Sequence, residues 1–169
     1  MDQHSRFVRL FDYERDVTLK VIASLRTAQS QIEQGGGAAM SPAFIRALEI
    51  FAHMQAARQV WLSRVDSAVA PPAEVFPVGW SLERCEREAE ALGEEWARLI
   101  SSLPRTGLDT EIEYTSTEGA RYSSALADIL SHVVNHGSYH RGQIARLIAE
   151  CGAEPPVTDF IVWSRRAMS

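Results

Sequence analysis

Five histidines are spread over this chain, and His132, His136 and His140 recur at four-residue spacing within one segment. Residues four apart share one face of a helix, one turn above the other. An HxxxH pair can therefore aim two imidazoles at a single ion. All three would not share it easily, because His132 and His140 lie about 12 Å apart along a helix axis. One adjacent pair is the candidate, and periodicity selects it. At roughly 100° per residue, Leu126, Ile129, Leu130, Val133, Gly137, Ile144, Leu147 and Ile148 form an apolar stripe. His140 falls inside that stripe and His136 at its edge, while His132 is rotated toward Asp128 and Tyr139 on the polar side. His136 and His140 are the pair expected to point inward.

Neutral imidazole is the commonest protein ligand for zinc and similar borderline metals. Two such ligands make a weak site, so a third must come from another helix. His53 is the other histidine within a core-forming segment. It lies beside Ala57 at the margin of a broad apolar face that also contains Arg58, so periodicity permits an inward His53 without demanding it. His4 sits close to the first residue, where fraying makes a poor ligand position. Glu49, one turn before His53, could orient that imidazole or serve as a general base, although a glutamate so placed is more often simply solvated. No HExxH, P-loop, GxSxG or GxGxxG motif is present, and neither Cys85 nor Cys151 stands in an activating motif.

The elements that must position these groups read as helices. Phe7, Leu10, Phe11, Val17, Val21, Ile22 and Leu25 recur at helical spacing from about Ser5 to Glu33, ahead of Gly35-Gly36-Gly37. Ser41-Pro42 supplies a cap hydroxyl and a first-turn proline for a second helix, expected to run to about Val69 before Pro71-Pro72. A third starts near Ser81 and carries Leu82, Cys85, Ala89, Leu92, Trp96, Leu99 and Ile100 as far as Pro104, with a solvated acidic face. Alternation at Glu111-Ile112-Glu113-Tyr114-Thr115 and the turn signal Glu118-Gly119 predict a β-hairpin between Thr110 and Tyr122. A fourth helix is expected from about Ser124 to Glu150, closed at Cys151-Gly152. Thr158-Asp159 caps a short last helix carrying Phe160, Ile161 and Trp163. The fold class is all-α: a four-helix bundle with a short hairpin before the fourth helix and a short C-terminal helix, in one domain over residues 1–169.

Composition narrows the function classes. The chain has 169 residues, 46% hydrophobic and 23% charged, enough to bury a core without disulfides. Seventeen Lys+Arg against twenty-two Asp+Glu give a net charge of -5, which argues against a general nucleic-acid-binding surface. No apolar window approaches the roughly 18 residues that would span a bilayer, and the opening residues lack a signal-peptide layout. Two cysteines without a CxxC pair suit a reducing compartment, so a cytoplasmic protein without membrane association is expected.

His132-Val-Val-Asn135-His136-Gly-Ser-Tyr139-His140-Arg141-Gly142-Gln143-Ile144 resembles the signature helix of the DinB-like family, which also contains YfiT-like metal-dependent hydrolases. Leu10-Phe11-Asp12-Tyr13 is similar to the family's first-helix start, though the frequent Tyr-Asn-x-x-Trp stands here as Tyr13-Glu14-Arg15-Asp16-Val17. Ala52-His53-Met54 with Trp61-Leu62-Ser63-Arg64-Val65, Tyr114 through Gly119, and Gly152 through Ile161 resemble later family segments in order and spacing.

The resemblance implies a four-helix bundle holding a divalent metal on His53, His136 and His140, with His132 supporting. Zinc or nickel is expected, and iron or copper would also suit such a site. Three neutral histidines leave a coordination position open, as in catalytic sites. The resemblance favours activation of a low-molecular-weight thiol toward a small-molecule electrophile, since relatives include thiol-dependent S-transferases and a mycothiol-dependent isomerase. Alternatives are hydrolysis by metal-bound water and a non-catalytic, stress-associated metal-binding role. Thiol recognition needs polar or basic groups near the metal mouth, for which Arg141, Tyr139, Gln143 and Arg121 are sources. Relatives are often dimers, and Trp61, Trp80 and Trp163 are candidates for apolar surface in a homodimer.

Overall fold

The computed structural model of the protein describes residues 2–35 and 40–167. Its elements are α1 (Gln3–Gln34), α2 (Pro42–Val65), α3 (Leu82–Ser102), β1 (Glu111–Thr115), β2 (Arg121–Ala125), α4 (Leu126–Glu150) and α5 (Phe160–Ser164). The first three helices start where side-chain oxygens satisfy first-turn amides. Asp2 accepts from the Ser5 amide at 2.7 Å, Ser41 from Phe44 at 3.1 Å and Ser81 from Arg84 at 3.3 Å. Each of α1 and α2 packs against both α3 and α4.

Three expected boundaries shift. The second helix stops at Val65, not Val69, because the Asp66 carboxylate accepts from the Ala68 amide in a local turn that competes with the helix ladder. The second strand extends past Tyr122 to Ala125, pairing Ser124 with Ile112 and Ala125 with Glu111. The fourth helix accordingly begins at Leu126, not Ser124. With no side-chain cap, its first amides donate to Thr110 and Leu108 carbonyls at 2.9 and 2.8 Å. At its other end Gly152, with φ of 81°, permits the predicted glycine closure, in which the Gly152 and Ala153 amides donate back to Ala149 and Ile148. Of the glycine run, Gly35 caps α1, and Gly36 and Gly37 lie outside the described residues.

The core has two apolar clusters. One centres on Val21, Leu25, Phe44, Phe51, Cys85 and Ile148, the other on Phe7, Phe11, Leu62, Trp96, Leu130 and Val133. Between them along α1, α2 and α4 comes a buried polar level: Glu14 and Thr18, Gln55 and Arg58, and Arg141. The Arg141 guanidinium donates twice to the Glu14 carboxylate, at 2.7 and 2.8 Å, and also to Ser138 and Tyr13. Burial works against the Arg141 charge, but the Glu14 bonds and charge outweigh it and its pKa is raised. A Cβ at Gly137 would lie 2.7 Å from the Glu14 Oε2, so only glycine leaves room for the pair.

Candidate metal centre

α2 and α4 are packed neighbours, and the face they share brings the three selected histidines together. His53, His136 and His140 each offer a ring nitrogen, and these atoms all lie within 4.8 Å of one another. The ring centroids are 5.4 Å apart for His53–His136, 4.9 Å for His53–His140 and 4.4 Å for His136–His140. All three are half-buried. The four-residue spacing on α4 sets one edge of this triangle, and the α2–α4 packing sets the other two.

Hydrogen bonds orient two of the rings. The Nδ1 of His53 lies 2.8 Å from the Val75 carbonyl, which can only accept, so this nitrogen carries the proton and Nε2 keeps its lone pair. The Nδ1 of His140 likewise lies 2.8 Å from the Gln143 Oε1. Its Nε2 is left facing the Nε2 of His136 at 3.1 Å. Oxygen acceptors behind the ring are the usual support for metal-binding histidines. Charge state points the same way. Burial, then neighbouring His140, His53 and His132, pushes the His136 pKa down to about 4. Burial also lowers His140, with Gln143 opposing and His53 assisting. These two imidazoles are thus neutral near pH 7, the form in which histidine can ligate a metal.

The surroundings differ in part from expectation. Glu49 does not orient His53; it pairs with Arg46 at 2.9 Å, and the Val75 carbonyl takes the orienting role. Arg141 is not at the mouth, because the pair with Glu14 holds it 1% exposed inside the bundle. Arg121 pairs with Glu113 on the hairpin at 2.8 Å. Gln143 and Tyr139 do touch the cluster, the Tyr139 ring lying 5.0 Å from His140. His132 is outside the triangle, packed between Trp61 at 5.1 Å and His136 at 5.6 Å, with its pKa lowered by burial and then by Arg64. Trp61 also meets Tyr114, Trp80 packs against the core, and Trp163 donates to Asp16 at 2.9 Å, so all three tryptophans have partners within the chain.

Sequence reasoning missed Val75 and Phe76. A backbone carbonyl has no side-chain signature. Phe76, in the Pro-rich connection between α2 and α3, stacks on His53 at 4.3 Å with 3° between the planes. It is nevertheless 73% exposed, an aromatic rim on His53 as Tyr139 is on His140.

The model of the DinB family matches residues 1–167. The chain belongs to the DinB family. This DinB-family chain is also 30% identical over 53 residues to Protein DinB of Bacillus subtilis (strain 168). That stretch spans 31% of each protein, so it covers less than a third of the relative's length. No solved structure matches the chain. Family membership and the convergent imidazoles are together compatible with metal binding, and among the described residues no helix is long and apolar enough to cross a membrane.

Proposed function

We propose that this DinB-family chain is a metal-dependent enzyme that activates a low-molecular-weight thiol on His53, His136 and His140 and directs it at a small electrophile. The observation carrying this reading is the convergence of three half-buried imidazoles, two of them backed by oxygen acceptors. A nitrogen-only donor set suits zinc or nickel among divalent ions. When bound there, such an ion lowers the pKa of a thiol or water toward neutrality.

The chain's own residues supply the rest. A cavity of about 350 Å³ is lined by Val75, whose carbonyl holds His53, and by Trp61, which packs on His132. Arg64 lies over the Trp61 and Tyr114 rings at 4.4 and 4.7 Å and lines the same cavity. Its cation would hold a carboxylate of the thiol or its partner, and the aromatic walls would shelter the apolar part. His132, with a lowered pKa, is a neutral base able to accept the thiol proton near pH 7.

Hydrolysis is the second reading. His132 could equally take a proton from water, but among the described residues no carboxylate joins the three-histidine group. The two readings separate in one assay set. Metal-loaded protein is tested with glutathione-class thiols and chloro-nitroaromatic acceptors, and with nitrophenyl esters without thiol. Thiol-dependent conjugation with a KM raised several-fold by Arg64→Ala is expected. Ester turnover without thiol would transfer the case to hydrolysis, and neither activity would leave a binding protein.

A further inference from the structure

Inside the bundle, the buried polar level carries more positive than negative charge. Glu14 is 1% exposed, Arg141 1% and Arg58 3%. Both arginines keep their charge at any ordinary pH, while the Glu14 carboxylate is engaged by two bonds from Arg141. One buried positive charge is therefore left over. Arg58 Nε is fully buried and has no hydrogen-bond partner among the described residues, and the same holds for Trp96 Nε1. Buried donors of this kind normally have an acceptor, and an isolated buried cation is far more costly than a buried amide. Burial and the neighbouring Arg141 push the Arg58 pKa down against the Glu14 charge, in keeping with that imbalance.

Arg58 and Trp96 line one cavity of about 50 Å³ between α1, α2 and α3, together with Phe11, Asp12, Arg15 and Ile100. The volume admits a few water molecules or a monatomic anion and no larger metabolite. Arg15, Gly93 and Ala97 also line the larger groove between α1 and α3, which offers a route in from solvent. Asp12, the carboxylate on the cavity wall, is half-exposed and lies 3.9 Å from Arg15. Its ion pair is with Arg15, and among the described residues none joins it to Arg58.

We propose that the Arg58–Trp96 cavity binds a small monovalent anion of halide size, which neutralises the polar level of the bundle. The site is independent of the three histidines and uses none of their chemistry.

The test uses the full chain and sodium chloride or sodium bromide as the probe, with sodium gluconate holding ionic strength constant. Thermal unfolding in chloride is expected to show a saturable rise of about 3–6 °C at ten times Kd. Trp96→Phe keeps the ring, removes the donor and should weaken the apparent chloride affinity roughly tenfold or more. Arg58→Met should abolish the dependence. If that variant does not fold, Trp96→Phe and Arg58→Lys carry the comparison. Crystals grown in bromide should give an anomalous peak in the cavity. Equal unfolding temperatures in chloride and gluconate would overturn the proposal. So would an unchanged chloride response in Trp96→Phe, or a cavity filled by water or the Asp12 carboxylate in bromide crystals.

Discussion

His140 and Arg141 are adjacent on α4 and belong to two polar clusters with opposite outcomes. Arg141 turns into the bundle, where Glu14, Tyr13 and Ser138 engage it. His140 turns toward α2 and meets two other imidazoles, with a rim that includes the exposed rings of Phe76 and Tyr139. The first cluster pairs the terminal Arg141 nitrogens with acceptors inside the chain, its Nε lacking one among the described residues. The second aligns lone pairs, with carbonyl and amide oxygens placed behind them. A polar group closed by its own partners supports the fold, whereas convergent lone pairs in a half-buried cleft are arranged for something that arrives from solvent.

The contrast predicts different consequences when each cluster is broken. Glu14→Ala leaves a second buried guanidinium without its carboxylate and should cost about 3–5 kcal/mol of stability in urea unfolding. Gly137→Ala forces a methyl toward the same ion pair. It should cost about 1–3 kcal/mol, although alanine is the better helix former by about 1 kcal/mol. Gains in stability from that substitution would mean the pair is looser than described.

Substitutions at the histidine cluster should instead spare the metal-free fold. Gln143→Leu removes the acceptor behind His140 and should weaken metal affinity about tenfold in competitive chelation, at the low end for such supports. Unfolding of the metal-free protein should shift by less than about 0.5 kcal/mol. A further effect concerns protons. The His136 pKa falls from 6.5 to about 4 in the fold. Well above pH 6.5 the imidazole is neutral whether folded or not. As pH falls from 6.5 toward 4 the unfolded chain takes up a proton that the fold resists, so metal-free stability should decline. His136→Gln should flatten that part of the stability–pH curve.

Much of this contrast could be read in the residues. His136 and His140 were selected by their place on the α4 stripe, and the structure puts both beside His53, for which helix periodicity alone was ambiguous. That ambiguity is physical, because His53 sits at the margin of a face whose partner is set only by the packing of α2 on α4. The Glu14–Arg141 pair had a signal too. Glu14 stands between Phe11 and Val17 in one apolar stripe, and Arg141 between Gly137 and Ile144 in another. A charge in each of two buried stripes requires a partner, yet sequence cannot state which helices meet. Val75 was beyond reach, since the carbonyl that orients His53 belongs to the backbone of a connection with no periodicity.

The proposed function stands on one divalent ion held by His53, His136 and His140. Elemental analysis of the untagged protein, purified and reconstituted beside His136→Ala, tests it most directly. Close to one zinc or nickel per chain is expected, lost in the variant while its circular dichroism is retained. No metal after reconstitution, or equal metal in the variant, would contradict it.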